Sequence, residues 1–132
     1  MKKMVLFLIV ILATFGCEKQ KQNEYSYSLT GEWAWISSCG GISYHCSTPE
    51  SSNHNIKIVF TADSLFSTYQ DGVLIQSTKY QTYILPPTDM PGTPNVIKYN
   101  SSNQLMFSIV HDTLYLNDFC CDGFNSNYKR IK

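Results

Sequence analysis

Leu29-Thr30-Gly31-Glu32-Trp33-Ala34-Trp35-Ile36 is the stretch that decides the fold. Read at the two-residue period of a strand, it puts Leu29, Gly31, Trp33, Trp35 and Ser37 on one face of a first strand ending near Ser37. Gly31 lets that strand bend where another backbone comes close, and Trp33 offers a large apolar surface with which to plug one end of a closed sheet. The chain has a single arginine, Arg130, near the end of the last expected strand. Its planar guanidinium is suited to stack on an indole and to donate to nearby carbonyls.

Beyond this strand the chain reads as short apolar runs separated by turn residues. Ile56–Phe60, Leu65–Gln70 and Val73–Leu85 are the second, third and fourth strands. Asp71-Gly72 is the strongest hairpin signal between them. Pro86, Pro87, Pro91 and Pro94 stiffen the following connection and keep it out of a sheet interior. Val96–Asn100, Leu105–His111, Leu114–Leu116 and Tyr128–Ile131 complete eight strands. Ser38–Asn55 and Asp118–Asn125 are expected as loops. Every connection is too short for a helical crossover, so successive strands should be antiparallel neighbours. The expected fold is all-β, an eight-stranded antiparallel up-and-down barrel without open edges. Nine tyrosines, seven phenylalanines and two tryptophans among Val, Ile and Thr agree with strands rather than helices.

The N-terminus has another character. Lys2 and Lys3 precede an apolar run from Met4 to about Ala13, too short for a comfortable membrane span, and then comes Thr14-Phe15-Gly16-Cys17. This is a signal peptide, residues 1–16. Its end resembles a lipobox, which implies lipid attachment at Cys17 and a membrane partner. Acylation would contribute roughly 0.8 kcal/mol per buried methylene. The polar segment to Ser28 is expected as a flexible tether, residues 17–28, and residues 29–132 as the folded domain. Asp, the usual inner-membrane retention residue, is absent after Cys17, which favours a lipid-anchored protein of the cell envelope at the outer membrane.

Removing 16 of 132 residues leaves about 116, enough for one modest core and too few for a second domain. The formal net charge of zero becomes about −2 once Lys2 and Lys3 are gone, which offers no footprint for nucleic acid.

Gly31-Glu-Trp33 on the first strand, eight hairpin-connected strands and Arg130 in the last look like the lipocalin and calycin pattern. More narrowly, the chain resembles the small lipocalin-like lipoproteins of Bacteroidota. The residues that carry this are Gly-Glu-Trp-Ala-Trp-Ile-Ser-Ser-Cys39, Thr48-Pro-Glu-Ser51, Ile56-Lys-Ile-Val-Phe-Thr61, Asp112-Thr-Leu-Tyr-Leu116 and Asp122-Gly-Phe124. The resemblance spans roughly residues 29–132. The first function expected on this resemblance is that of a monomeric, non-enzymatic barrel that binds a small apolar or amphipathic ligand at its open end. The chain is shorter than classical lipocalins and lacks their C-terminal helix.

On this reading Gly31, Trp33 and Arg130 close the barrel floor and do not touch ligand. Trp35 would lie above the plug, with Ile56, Ile58 and Phe60 beside it, either lining a cavity or packing as core. Eight strands leave an interior just wide enough for side chains or one small ligand.

Cys39, Cys46, Cys120 and Cys121 remain after Cys17 and allow three connectivities. First and last strands are neighbours in a closed barrel, so the two cysteine-bearing loops should meet at the open end. Cross-pairing of Cys39 and Cys46 with Cys120 and Cys121 is therefore expected, ahead of a bridge between the adjacent pair.

His45 and His54 make a cysteine–histidine metal site conceivable, but the spacing is not that of a zinc ribbon, and no metal or cofactor is expected. No paired carboxylates, nucleophile elbow, phosphate loop or His-Glu-x-x-His occurs, so no catalytic residues are assigned. Asp63-Ser64-Leu65 and Asp112-Thr113-Leu114 resemble an O-glycosylation sequon. Their plainer reading is a turn leading into a strand. A second function class keeps the barrel as scaffold and uses the open-end loops, with Ile42, Tyr44 and Phe124, as a protein-interaction or inhibitor surface.

Overall fold

The computed structural model describes residues 28–86 and 94–132. The signal peptide, Cys17 and the tether up to residue 27 lie outside the described residues, as do residues 87–93 of the proline-bearing connection.

Nine strands and one helical turn are described: β1 (Gly31–Gly40), β2 (His45–Ser47), α1 (Pro49–Ser52), β3 (Ile56–Phe60), β4 (Leu65–Gln70), β5 (Val73–Ile84), β6 (Asn95–Tyr99), β7 (Asn103–Val110), β8 (Thr113–Asn117) and β9 (Phe124–Arg130). Each strand from β3 to β9 pairs with the next, β1 pairs with both β3 and β9, and all these pairs are antiparallel. The protein is thus a closed eight-stranded barrel, with β2 as a short extra edge on β1.

Turn chemistry sets the hairpins. Asp71 and Gly72 have φ of 51° and 83°, the two positive values of a two-residue turn whose twist suits a β-hairpin. β5 is long because it serves two neighbours in sequence. Val73–Lys79 pairs with β4 and Tyr80–Ile84 with β6. Its last residues therefore overhang the start of β4.

Inward side chains fill the middle of the barrel. Trp33, Phe60, Ile97 and Leu114 are fully buried. The Phe60 ring stacks on Phe66 at 4.8 Å and meets Tyr80 edge-on at 5.1 Å, and Phe66 lies 5.1 Å from Tyr99. Offset and edge-on contacts of this kind add about 0.5–1.5 kcal/mol each beyond area burial.

Three expectations are corrected. First, the alternation along β1 slips between Trp35 and Ser37: Trp35 faces Tyr128, whereas Ser37 faces Asn127. One extra residue, the exposed Ile36, forms a β-bulge. Ser38 thereby replaces Ser37 on the inner face. Second, the segment 38–55 is not all loop. β1 runs on to Gly40 and pairs with β2, after which Thr48 caps α1 through reciprocal bonds with Ser51, and Pro49 stands in the first turn. Third, the last strand begins at Phe124 rather than Tyr128, because β1 extended to Gly40 offers partners for Phe124–Asn127.

Candidate functional site

Sequence direction assigns the two ends of the barrel. The closed end carries the start of β1, the end of β9 and the turns at 61–64 and 111–112. The open end carries the 41–44, 53–55, 71–72 and 118–123 connections.

At the closed end the Arg130 guanidinium carbon sits 4.0 Å from the centroid of the Trp33 ring. Nη1 donates to Thr30 O at 3.0 Å and Nη2 to Ser28 O at 2.6 Å. Below the indole, Trp33 Nε1 donates to Leu29 O at 2.9 Å, and buried Leu29 covers the plug. Gly31 has φ of 144°, and a Cβ there would lie 2.8 Å from Arg130 Nη1. The first strand, its lead-in and the last strand are thus tied at one point. Arg130→Ala is expected to lower stability by about 1–3 kcal/mol through loss of the cation–π contact and both charged hydrogen bonds. Arg130→Lys should restore less than half, since one ammonium cannot stack flat and reach two carbonyls together. Denaturant midpoints of the three proteins check this; equal midpoints would show that the tie contributes nothing.

Above the plug, Trp35 is buried and its Nε1 donates to Ser38 Oγ at 2.8 Å, which in turn lies 2.7 Å from Ser126 Oγ. Of the residues considered beside it, Ile56 is half-buried, while Ile58 and Phe60 are 2% and 1% exposed. The space around Phe60 is taken by Phe66 and Tyr80. Tyr128 also packs against the core from β9. Burial pushes its phenol up to about 12, the nearby Tyr99 phenol adds to this, and a hydrogen bond with Ser126 opposes it. The folded state therefore favours neutral Tyr128. Its contribution to stability is complete below about pH 10, the ordinary tyrosine value, and disappears as pH rises toward 12. Alkaline melting curves should fall less steeply for Tyr128→Phe than for the parent, and the last-titrating tyrosinate absorbance should vanish; identical curves would refute the assignment.

The cysteine loops meet as expected, with Gly41 N donating to Asp122 O at 3.2 Å. Their bridges differ from expectation. Cys39 pairs with Cys46, and Cys120 and Cys121 are exposed free thiols. The cause lies in the local strand pairing. The β1–β2 hairpin sets Cys39 opposite Cys46 with Cα atoms 4.1 Å apart, and the bulge at Ile36 turns Cys39 to the outer face.

The histidines are spread out. His45 is exposed on β2 opposite Gly40. His54 Nδ1 lies 2.9 Å from Asp71 Oδ2, and Asn55 N donates to Asp71 Oδ1 at 2.8 Å. These bonds, the backbone one first, hold the Asp71 carboxyl below its usual range and pin the 53–55 segment to the β4–β5 turn. His111 occupies a turn with φ of 54°. Among the described residues no group of three or more His, Cys, Asp and Glu is placed to hold a metal ion. Ser64 sits in a turn with φ of 63°, and Thr113 opens β8.

A hollow unforeseen in sequence lies under the overhang of β5. Thr82, Tyr83, Ile84, Asn95 and Phe107 line an open hollow of about 460 Å³. A second hollow of about 270 Å³ shares Asn95 and Phe107 and is completed by Ser108 and Ile109. Aromatic and aliphatic walls with a carboxamide and a threonine hydroxyl suit an apolar body bearing one polar group. A strand of twelve residues beside one of six was the available signal. The open end is shaped differently: Ile42 and Tyr44 on the disulfide-clamped hairpin are 91% and 73% exposed, and Val73, Leu74 and Ile75 stand exposed beyond the Asp71–Gly72 turn.

Comparison of the chain with protein families, curated proteins and solved structures found no match.

Proposed function

We propose that this chain is a lipid-anchored, lipocalin-like envelope protein without catalytic activity that binds a small apolar or amphipathic molecule. The observation that carries the reading is the hollow of about 460 Å³ bounded by Ile84, Phe107 and Asn95, within the size range of small-molecule sites. This puts the site on the closed-end rim beneath β5 rather than at the open end above Trp35 where it was expected, because aromatic side chains occupy the barrel's middle. Thr14-Phe15-Gly16-Cys17 supports the anchor and Gly31-Glu-Trp33 with Arg130 the kinship. Native mass spectrometry of the full chain, drawn in mild detergent from its own membranes, tests the binding. An additional retained mass is expected, and Ile84→Glu, at an exposed wall position, should remove it without lowering the melting temperature. A bare parent protein would overturn the reading.

A second reading has its own support. Ile42 and Tyr44 project almost fully from a hairpin that a disulfide and a backbone bond to Asp122 hold in place, which suits a contact surface for another protein. Under that reading Ile42→Asp with Tyr44→Ser abolishes crosslinking to a partner in intact cells and leaves any retained small molecule in place.

A further inference from the structure

The lead-in to β1 is held at the closed end. Ser28 O accepts a hydrogen bond from Arg130 Nη2, and Thr30 O one from Nη1. Eleven residue steps separate Cys17 from Ser28, so the held point lies within about 40 Å of the proposed acyl anchor however the intervening chain runs. The open end lies a full strand length beyond it. The chain that leads from the anchor thus joins the barrel at its floor.

That face has the chemistry of a lipid contact. Val110 and Ile131 are about half exposed. They flank Lys129 on the outer surface, since Val110 pairs with Thr113 and Thr113 with Lys129 across the β7–β8–β9 ladder. Lys132 follows in the chain, and Lys79 reaches the same end by donating to Asp63 O at 2.9 Å. With Arg130, four cations stand here among the described residues, against the carboxylates of Asp63 and Asp112. Glu32 is paired with Lys57 at 3.0 Å and adds no net charge to the face. The open end also exposes apolar side chains, Ile42 and Tyr44 among them, but these form the surface read above as a contact for another protein.

We propose that the floor of the barrel is a docking face for the surface of an anionic bilayer, the membrane that holds the Cys17 anchor. This rests on the anchored reading above. Val110 and Ile131 enter the headgroup boundary, while Lys129, Lys132 and Lys79 meet lipid phosphates, an attraction that salt screens. The barrel then stands on its closed end, with the 41–44 hairpin and the thiols of Cys120 and Cys121 presented away from the membrane.

The test uses the full chain purified from its own membranes and placed in vesicles, either of phosphatidylcholine alone or of phosphatidylcholine with phosphatidylglycerol. Intact mass reports whether Cys17 is acylated, and hydroxyl-radical footprinting reports side-chain access. The expected result is an acylated chain whose Val110 and Ile131 are oxidised severalfold more slowly in phosphatidylglycerol vesicles than in detergent. Ile42 and Tyr44 should be unchanged, and the protection should weaken in neutral vesicles and at high salt. An acylated chain with no protection at Val110 and Ile131, with protection at Ile42 and Tyr44, or with protection indifferent to lipid charge overturns the docking face and leaves the anchor standing. An unmodified Cys17 overturns both.

Discussion

Trp33→Ala is expected to lower the folding free energy by about 3–5 kcal/mol, the usual range for truncating a large buried aromatic. Trp33 is wholly buried, so its removal leaves a cavity among Leu29, Ile58, Phe60 and Leu114 that the surrounding strands cannot collapse to fill. It also strips Arg130 of the ring beneath its guanidinium and leaves Leu29 O without its indole donor. The loss should exceed that of Trp35→Phe, because Trp35 keeps part of its edge accessible and its hydroxyl partner, Ser38, retains Ser126. Urea unfolding of both variants, followed by far-ultraviolet circular dichroism, measures the difference. A Trp33→Ala protein as stable as the parent would mean that the floor plug does not hold the barrel.

Gly31→Ala should cost about 1–3 kcal/mol from backbone strain alone. The residue adopts φ of 144°, which side chains other than glycine rarely take. A methyl group there would also press on Arg130 Nη1 and on the carbonyl of Lys132, so strain and collision act together. The damage should reach the last strand. Glu32 N donates to Lys132 O and Ile131 N to Glu32 O, both beside the site of substitution. Hydrogen exchange of the Ile131 amide is therefore expected to accelerate more than that of the Asn55 amide at the other end of the barrel. Equal acceleration at both ends would mean general destabilisation rather than a parted seam between β1 and β9.

The barrel was legible because its signals are local and mutually consistent. Alternating apolar residues, Asp71-Gly72 and short connections each specify antiparallel neighbours, and no segment argues against them. The floor residues were legible for a similar reason, since a lone arginine at the end of the last strand has few places to go. What escaped depends on pairings that no single segment declares. Whether Cys39 reaches Cys46 or the other loop is settled by how far β1 continues, and that in turn by Phe124–Asn127 joining β9. The hollow beneath β5 arises from a mismatch in length between β5 and β4 and from which residues β6 leaves facing it. Such features belong to the assembled sheet, and period-two patterning carries no information about where a strand outlasts its partner.

The bulge at Ile36 divides β1 into two halves of opposite parity. In the lower half odd-numbered residues face inward, with Trp33 building the floor and Trp35 lying above it. In the upper half even-numbered residues face inward, as Ser38 and the buried Gly40 do. A single strand therefore behaves as two reading frames joined at one residue. Its odd positions supply the plug below and, above, a crosslink on the outside of the wall at Cys39. Were Ile36 drawn into regular alternation instead, Cys39 and the Cys46 opposite it would turn together to the inner face, and the crosslink of the hairpin that carries Ile42 and Tyr44 would enter the barrel mouth.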